Sequence, residues 1–227
     1  MPKHIAFIMD GNRRWAQEKG WSPMTGHTAM RKTLQSLLLK CNDLKIKSVS
    51  TYAFSTENWT RPIEEVDFLM EMYEDLLRTD AEVLLSLGCQ VNVMGRKSDL
   101  SESFQKLCVE IDEKSRLNSG MQVNYAINYS GKYDIIQACK SIAAQVKDGV
   151  LVPNQINEKC FTQELCTKMN DFPYPDLVIR TSGEIRLSNF MLWQMAYSEL
   201  YFTKKYFPDF KENDLIEAIV AFQEIRK

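Results

Sequence analysis

The sequence predicts a single α/β domain with a central, mostly parallel β-sheet flanked by helices and an apolar tunnel beside it. Three observations carry this expectation. Apolar, β-rich runs alternate with helical patterns along the chain; each strong run except the third is followed by a polar loop; and no Pro/Gly-rich linker, internal repeat or low-complexity segment divides the 227 residues. Alternating strands and helices imply parallel pairing with both sheet faces covered. In such sheets ligands sit beyond the carboxyl ends of the strands. The length fits one large domain, so residues 1–227 are read as one catalytic unit.

In order, the first strand is HIAFIM (4–9), followed by MDGNRRW and a helical pattern over 27–43. SVSTYAF (48–54) is the second strand and runs into FSTENWTRP. A helix over 64–87 places Val66, Leu69, Met70, Tyr73, Leu76 and Leu77 at core spacing, while Phe68 and Met72 widen its apolar arc. That breadth suits a helix that packs on the sheet and also walls an apolar tunnel, methionine supplying an adaptable surface. QVNVMG (90–95), a helix over 99–116, QVNYAIN (122–128) with NYSGKYD after it, and a helix over 133–147 complete the middle of the chain. A long loop covers 148–160, then DLVIRT (176–181) leads into RTSGEIRLSN, and a last helix spans 213–225.

Composition narrows the function. A net charge of -2 lacks the basic surplus that a nucleic-acid partner demands. The six cysteines form no CxxC pair and there are two histidines, which argues against zinc and for reduced core thiols. No apolar stretch reaches the ~18 residues of a membrane span, and the first thirteen residues read as strand and loop rather than signal peptide.

The polar loops bring Arg13, Arg14, Arg61, Lys132, Arg180 and Arg186 to one sheet edge, with Gly11, Gly131 and Gly183 beside them. Arginine's planar fork matches phosphate oxygens, and glycine lets backbone N–H groups approach the same anion. An acid among these cations, Asp10, repels such a ligand unless a divalent cation lies between; Mg²⁺ accepts one or two carboxylates plus phosphate oxygens. Glu199 is the second candidate metal ligand. There is no GxxxxGK[ST] loop, no GxGxxG and no DDxxD pair. A phosphate clamp beside an apolar tunnel describes a prenyl diphosphate site.

HIAFIMDGNRRWA, the GH at 26–27, FSTENWTRP with EEV, NYSGKYDI and IRTSGEIRLSNFMLWQMAYSELYF together resemble the five signature regions of the cis-prenyltransferases, the undecaprenyl diphosphate synthase family, over nearly the whole chain. DGNRRW and FSTENW are more similar to the plant members. The resemblance implies a homodimer that condenses isopentenyl diphosphate onto an allylic diphosphate to give a Z double bond. It implies that Asp10 coordinates Mg²⁺ and assists departure of pyrophosphate, and that Gly11, Asn12, Arg13 and Arg14 hold the allylic diphosphate, with His27 nearby as a general base or a structural histidine. Arg180, Arg186 and Ser188 then clamp the second diphosphate. Ser55 and Asn58 lie near the reacting centre; Trp59, Arg61 and Glu65 belong to a mobile loop closing over substrate; Glu199 completes the metal region, within the chain or across the dimer.

The chain departs from the pattern at Pro23, where many bacterial members carry an arginine, at Met30 in GHTAM, and in lacking an arginine-x-glycine tail after Arg226 and Lys227. The intact clamp and the bulk of Met30, Phe68 and Met72 favour short substrates, dimethylallyl and isopentenyl diphosphate, and a C10 to C20 product. Two alternatives stand beside this reading: head-to-middle coupling of two dimethylallyl diphosphates, as in lavandulyl diphosphate synthases, and a non-catalytic subunit of a heteromeric enzyme. Plastid, with a transit peptide ahead of this chain, and cytoplasm are the two locations the plant-like motifs allow.

Overall fold

The computed structural model describes residues 1–226. Six strands, β1 (His4–Ile8), β2 (Ser48–Ser55), β3 (Gln90–Met94), β4 (Gln122–Tyr129), β5 (Leu177–Arg180) and β6 (Glu199–Phe202), form one sheet in the order β3-β4-β2-β1-β5-β6. Every adjacent pair is parallel. All five expected strands are present within a residue or two. The four-residue β6 was not foreseen, because it lies in a segment read only as motif. It pairs Leu177 with Glu199 and Arg180 with Phe202.

Seven helices surround the sheet: α1 (Asn12–Glu18), α2 (Pro23–Asp43), α3 (Ile63–Ser86), α4 (Glu102–Ser115), α5 (Gly131–Lys147), α6 (Glu158–Thr162) and α7 (Glu212–Ile225). The short α1 and α6 replace what the sequence presents as loops. α2 begins a turn earlier than its apolar pattern, since Ser22 accepts a bond from the Thr25 N–H and Pro23 takes the first helical position, where its fixed φ and missing N–H cost nothing. Pro23 is therefore a helix start rather than only a missing cation.

The core divides by sheet face. Ile5, Phe7, Val49, Val123, Tyr125 and Ile127 face inward-turned side chains of α2, α3, α4 and α7, while Ala6, Ile8, Ala126 and Val178 pack on Phe190, Met191 and Met195 of the segment after β5. Three cysteines, Cys41, Cys89 and Cys108, are buried; Cys139 and Cys166 are exposed and Cys160 half-buried, so the expectation of uniformly core thiols holds for half of them. No described helix is long and apolar enough to cross a membrane.

Candidate active site

β1 lies between β2 and β5, and the segments leaving the carboxyl ends of these three strands meet above it. They enclose a cavity of about 240 Å³ lined by Asp10 and Asn12 after β1, Ser55 and Asn58 after β2, and Arg180, Arg186 and Ser188 from the end of β5 onward. A second lobe of about 320 Å³ adjoins it, lined by Gly11, Arg13, Arg14 and Gln17. Met9, Asp10, Asn12, His27 and Arg61 line both lobes. Four separate loops were expected here, and three arrive. The fourth, NYSGKYD, packs instead: Ser130 caps α5, and the Gly131 and Lys132 N–H groups donate to the backbone and side-chain oxygens of Asn189. Lys132 lines neither lobe, and the loop's contribution is to hold the 187–191 segment in place.

Asp10 is the pivot. Its carboxylate accepts bonds from Arg180 Nη2 at 2.7 Å and the Gly11 N–H at 2.7 Å, with Arg14 Nη2 at 3.5 Å. Partial burial alone would push the carboxyl up, but the bond and charge of Arg180, with Gly11 and Arg14, outweigh it and hold the group below its ordinary value. Arg180 is itself buried, donating to Ser188 Oγ at 2.7 Å and to the Arg186 carbonyl. Arg14 donates to Ser182 Oγ at 2.8 Å. Gly11 makes the turn possible: its φ is +98°, and a Cβ there would lie 2.5 Å from Tyr206 and 2.8 Å from Ser182.

Glu65 is a second hub. It is buried at the first turn of α3 and receives His27 Nε2 at 3.1 Å, Arg61 Nη1 at 3.1 Å and Arg13 Nε at 3.4 Å. Burial opposes its ionisation, yet the His27 bond and the two guanidiniums lower its pKa. In this conformation the segment expected to close over substrate makes defined contacts: Thr56–Thr60 is a 3-10 turn, Arg61 pairs with Glu65, and Trp59 lies edge-on to Phe54 with its indole N–H 2.8 Å from Asn128 Oδ1. Asn58 Oδ1 accepts the Ser55 N–H, locking the two polar residues of β2's end together.

The electrostatics suit an anion. Five guanidiniums, Arg13, Arg14, Arg61, Arg180 and Arg186, outnumber the carboxylates Asp10, Glu65 and Glu184 that pair with them. Asn12 Oδ1, His27 Nδ1 and Arg180 Nε are buried without a partner, and all three residues line the cavity, which leaves hydrogen-bonding capacity for a ligand.

Two expected features take a different form. Glu199 stands at the start of β6, level with Leu177 and three residues back from Arg180, roughly 10 Å along the strand direction. It accepts from Arg226 Nε at 3.4 Å, so the fold does not bring it to Asp10 within one chain. In place of an extended apolar tunnel the cavity has an apolar wall that includes Met30 and Tyr73, and Tyr73 donates its hydroxyl to the Ala53 carbonyl at 2.6 Å. Met72 is buried in the core and Phe68 packs partly against it, so neither supplies the expected bulk there. Tyr73, read from sequence as an ordinary core residue, is buried and lines the cavity instead.

A parallel sheet with a two-lobed, guanidinium-lined cavity and one ionised aspartate beyond β1, β2 and β5 is the framework of an α/β protein built to take an anionic ligand. The family model described as putative undecaprenyl diphosphate synthase matches residues 8–227, and the chain belongs to this family of cis-prenyltransferases. Dehydrodolichyl diphosphate synthase 2 of Arabidopsis thaliana is 44% identical over 99% of this chain and 72% of its own. A chloroplastic (2Z,6Z)-farnesyl diphosphate synthase of Solanum lycopersicum is 47% identical over 98% of this chain and 77% of its own. Among solved structures, lavandulyl diphosphate synthase from Lavandula x intermedia in complex with dimethylallyl diphosphate superposes with a TM-score of 0.95 at 41% identity, covering 98% of this chain and 95% of that one.

Proposed function

We propose that this prenyltransferase condenses dimethylallyl and isopentenyl diphosphate into a short-chain Z-prenyl diphosphate. The observation that carries the proposal is the pair of cationic lobes sharing Asp10, one of them walled in part by Met30 and Tyr73. In the reaction the allylic C–O bond breaks with its electrons going to pyrophosphate, a C–C bond forms from the isopentenyl double bond, and a proton leaves to restore unsaturation. Arg13 and Arg14 hold the allylic diphosphate, with Gly11 and Asn12 at the turn. Arg180, Arg186 and Ser188 hold the second. His27, Ser55 and Asn58 stand between the two, and the apolar wall keeps water from the cation. Relatives at similar identity include both a farnesyl and a dehydrodolichyl diphosphate synthase, so the short product rests on the cavity rather than on similarity.

Mg²⁺ is the cofactor this reading requires, and the residues fit it. Asp10 stays ionised beside both lobes, and magnesium takes one or two carboxylates, completing its shell with phosphate oxygens and water. Among the described residues no three His, Cys, Asp or Glu gather into a metal cluster; in this reading Asp10 is the ligand within the chain, and Glu199 would have to come from another chain. When bound, the ion neutralises charge developing on pyrophosphate. A homodimer is part of the proposal: the edge strand β6 is unpaired on its outer side, and Tyr197 and Leu200 are exposed beside it. Its chloroplastic relative supports a plastid location over cytoplasm.

One second reading has an observation behind it, the close superposition on the lavandulyl enzyme bound to dimethylallyl diphosphate. Head-to-middle coupling needs one dimethylallyl diphosphate to act as nucleophile in the second lobe. Supplying dimethylallyl diphosphate alone separates the two: strict dependence on isopentenyl diphosphate is the outcome expected here, and a branched C10 product from the single substrate establishes the rival. A non-catalytic partner role is opposed by the complete clamp; turnover by the purified chain excludes it.

A further inference from the structure

Beyond Met30 and Tyr73, the seam between α2 and α3 continues in helical steps. Met30, Leu34 and Leu38 follow one another on α2, and Tyr73, Leu76 and Asp80 on α3, so a tail leaving the cavity past Met30 and Tyr73 would run along this seam toward Tyr125 of β4. The seam is all but shut: between Leu34, Leu38, Leu76, Leu84 and Tyr125 the free space is about 10 Å³. Arg31 spans it. Its Nε and Nη2 form a fork on the Asp80 carboxylate at 2.9 Å each, Nη2 also reaches Thr79 Oγ1 at 2.6 Å, and Nη1 pairs with Asp75. One α2 guanidinium thus engages three side chains of α3, and Arg31 and Asp80 both line the crevice that a longer tail would have to widen.

We propose that this clasp, Arg31 on Asp75, Thr79 and Asp80, sets product length by holding α2 against α3. It is a positioning device that touches no diphosphate, and it rests on the reading of the chain as a short-chain prenyl diphosphate synthase. A bidentate, partly buried guanidinium–carboxylate pair resists the helix separation that each added C5 unit needs, whereas the leucines around it would yield to a chain of their own polarity. Nothing in the local sequence marks Arg31, since its partners lie more than forty residues away.

The test uses Arg31→Met and, as a shape-preserving alternative, the double substitution Asp75→Asn with Asp80→Asn. With dimethylallyl and isopentenyl diphosphate, both variants are expected to lengthen the main product by one or more C5 units while KM for dimethylallyl diphosphate stays within about twofold. Calorimetric binding of C10 and C20 allylic thiolodiphosphates, which do not ionise readily, gives a readout independent of turnover. The C20-to-C10 affinity ratio is expected to rise roughly tenfold in either variant, the scale at which apolar pockets discriminate added carbon. A folded variant with wild-type product length, or an unchanged affinity ratio, overturns the clasp. If wild-type protein neither binds these analogues nor turns over, the underlying functional reading fails instead.

Discussion

Asp10 sits between two guanidiniums, and this decides what its removal does. Replacing it with alanine strips the buried Arg180 of a partner as well as the site of its charge, so Asp10→Ala is expected to lose both activity and melting temperature. Asp10→Asn keeps an oxygen for Arg180 and isolates the catalytic effect: kcat is expected to fall roughly 10²-fold or more, about 2.7 kcal/mol of barrier, with the melt close to wild type. A thermal melt and a rate on the same sample check both. Away from the site, His4 is fully buried as the first residue of β1, with Nε2 2.8 Å from Ser50 Oγ, and desolvation lowers its pKa from 6.5 to about 4 despite the raising effects of neighbouring carbonyls and Asp176. Because the unfolded chain binds this proton first, the stability it contributes is complete above pH 6.5 and is lost as pH falls toward 4, a change of about 3 kcal/mol. Proton NMR of the imidazole should show no titration of His4 between pH 7 and 5. Ordinary titration near pH 6.5 would contradict the burial argument.

At the scale of elements, the contact of α1 with α2 positions the clamp. Gly26 on α2 faces the Asn12 carbonyl so closely that a Cβ would stand 2.1 Å from it and 3.2 Å from Ala16. Gly26→Ala must therefore push α1 away, with an expected cost of roughly 1–3 kcal/mol and a raised KM for the allylic substrate, since Asn12, Arg13 and Arg14 move with α1. Chemical denaturation and steady-state kinetics read the two effects. The same elements show what a sequence discloses. The long strands and helices were legible because their apolar periods are strong, and the clamp residues because they follow strands. α1 was missed because its seven residues coincide with the motif read as a loop, and no side chain caps its start. β6 was missed because four half-exposed edge residues have no period. Glu65 looked like part of a closing loop, and only three-dimensional packing shows it buried beneath Arg13, Arg61 and His27.

For the whole molecule, the sheet order explains why so few elements suffice. With β1 central and its neighbours β2 and β5 parallel to it, their three exits converge, and one aspartate lines both cationic lobes. In the proposed reading, α2 and α3, which line the far side of the cavity and the narrow crevice beyond it, limit how much hydrocarbon fits. In that reading charge handling and chain length fall to different parts of one domain. Mass spectrometry of the products formed by the purified chain with Mg²⁺, dimethylallyl diphosphate and isopentenyl diphosphate tests this most directly. The account predicts Z-configured prenyl diphosphates of C10 to C20 that require both substrates and the metal. Dolichol-length products, or no product until a second polypeptide is added, would contradict it.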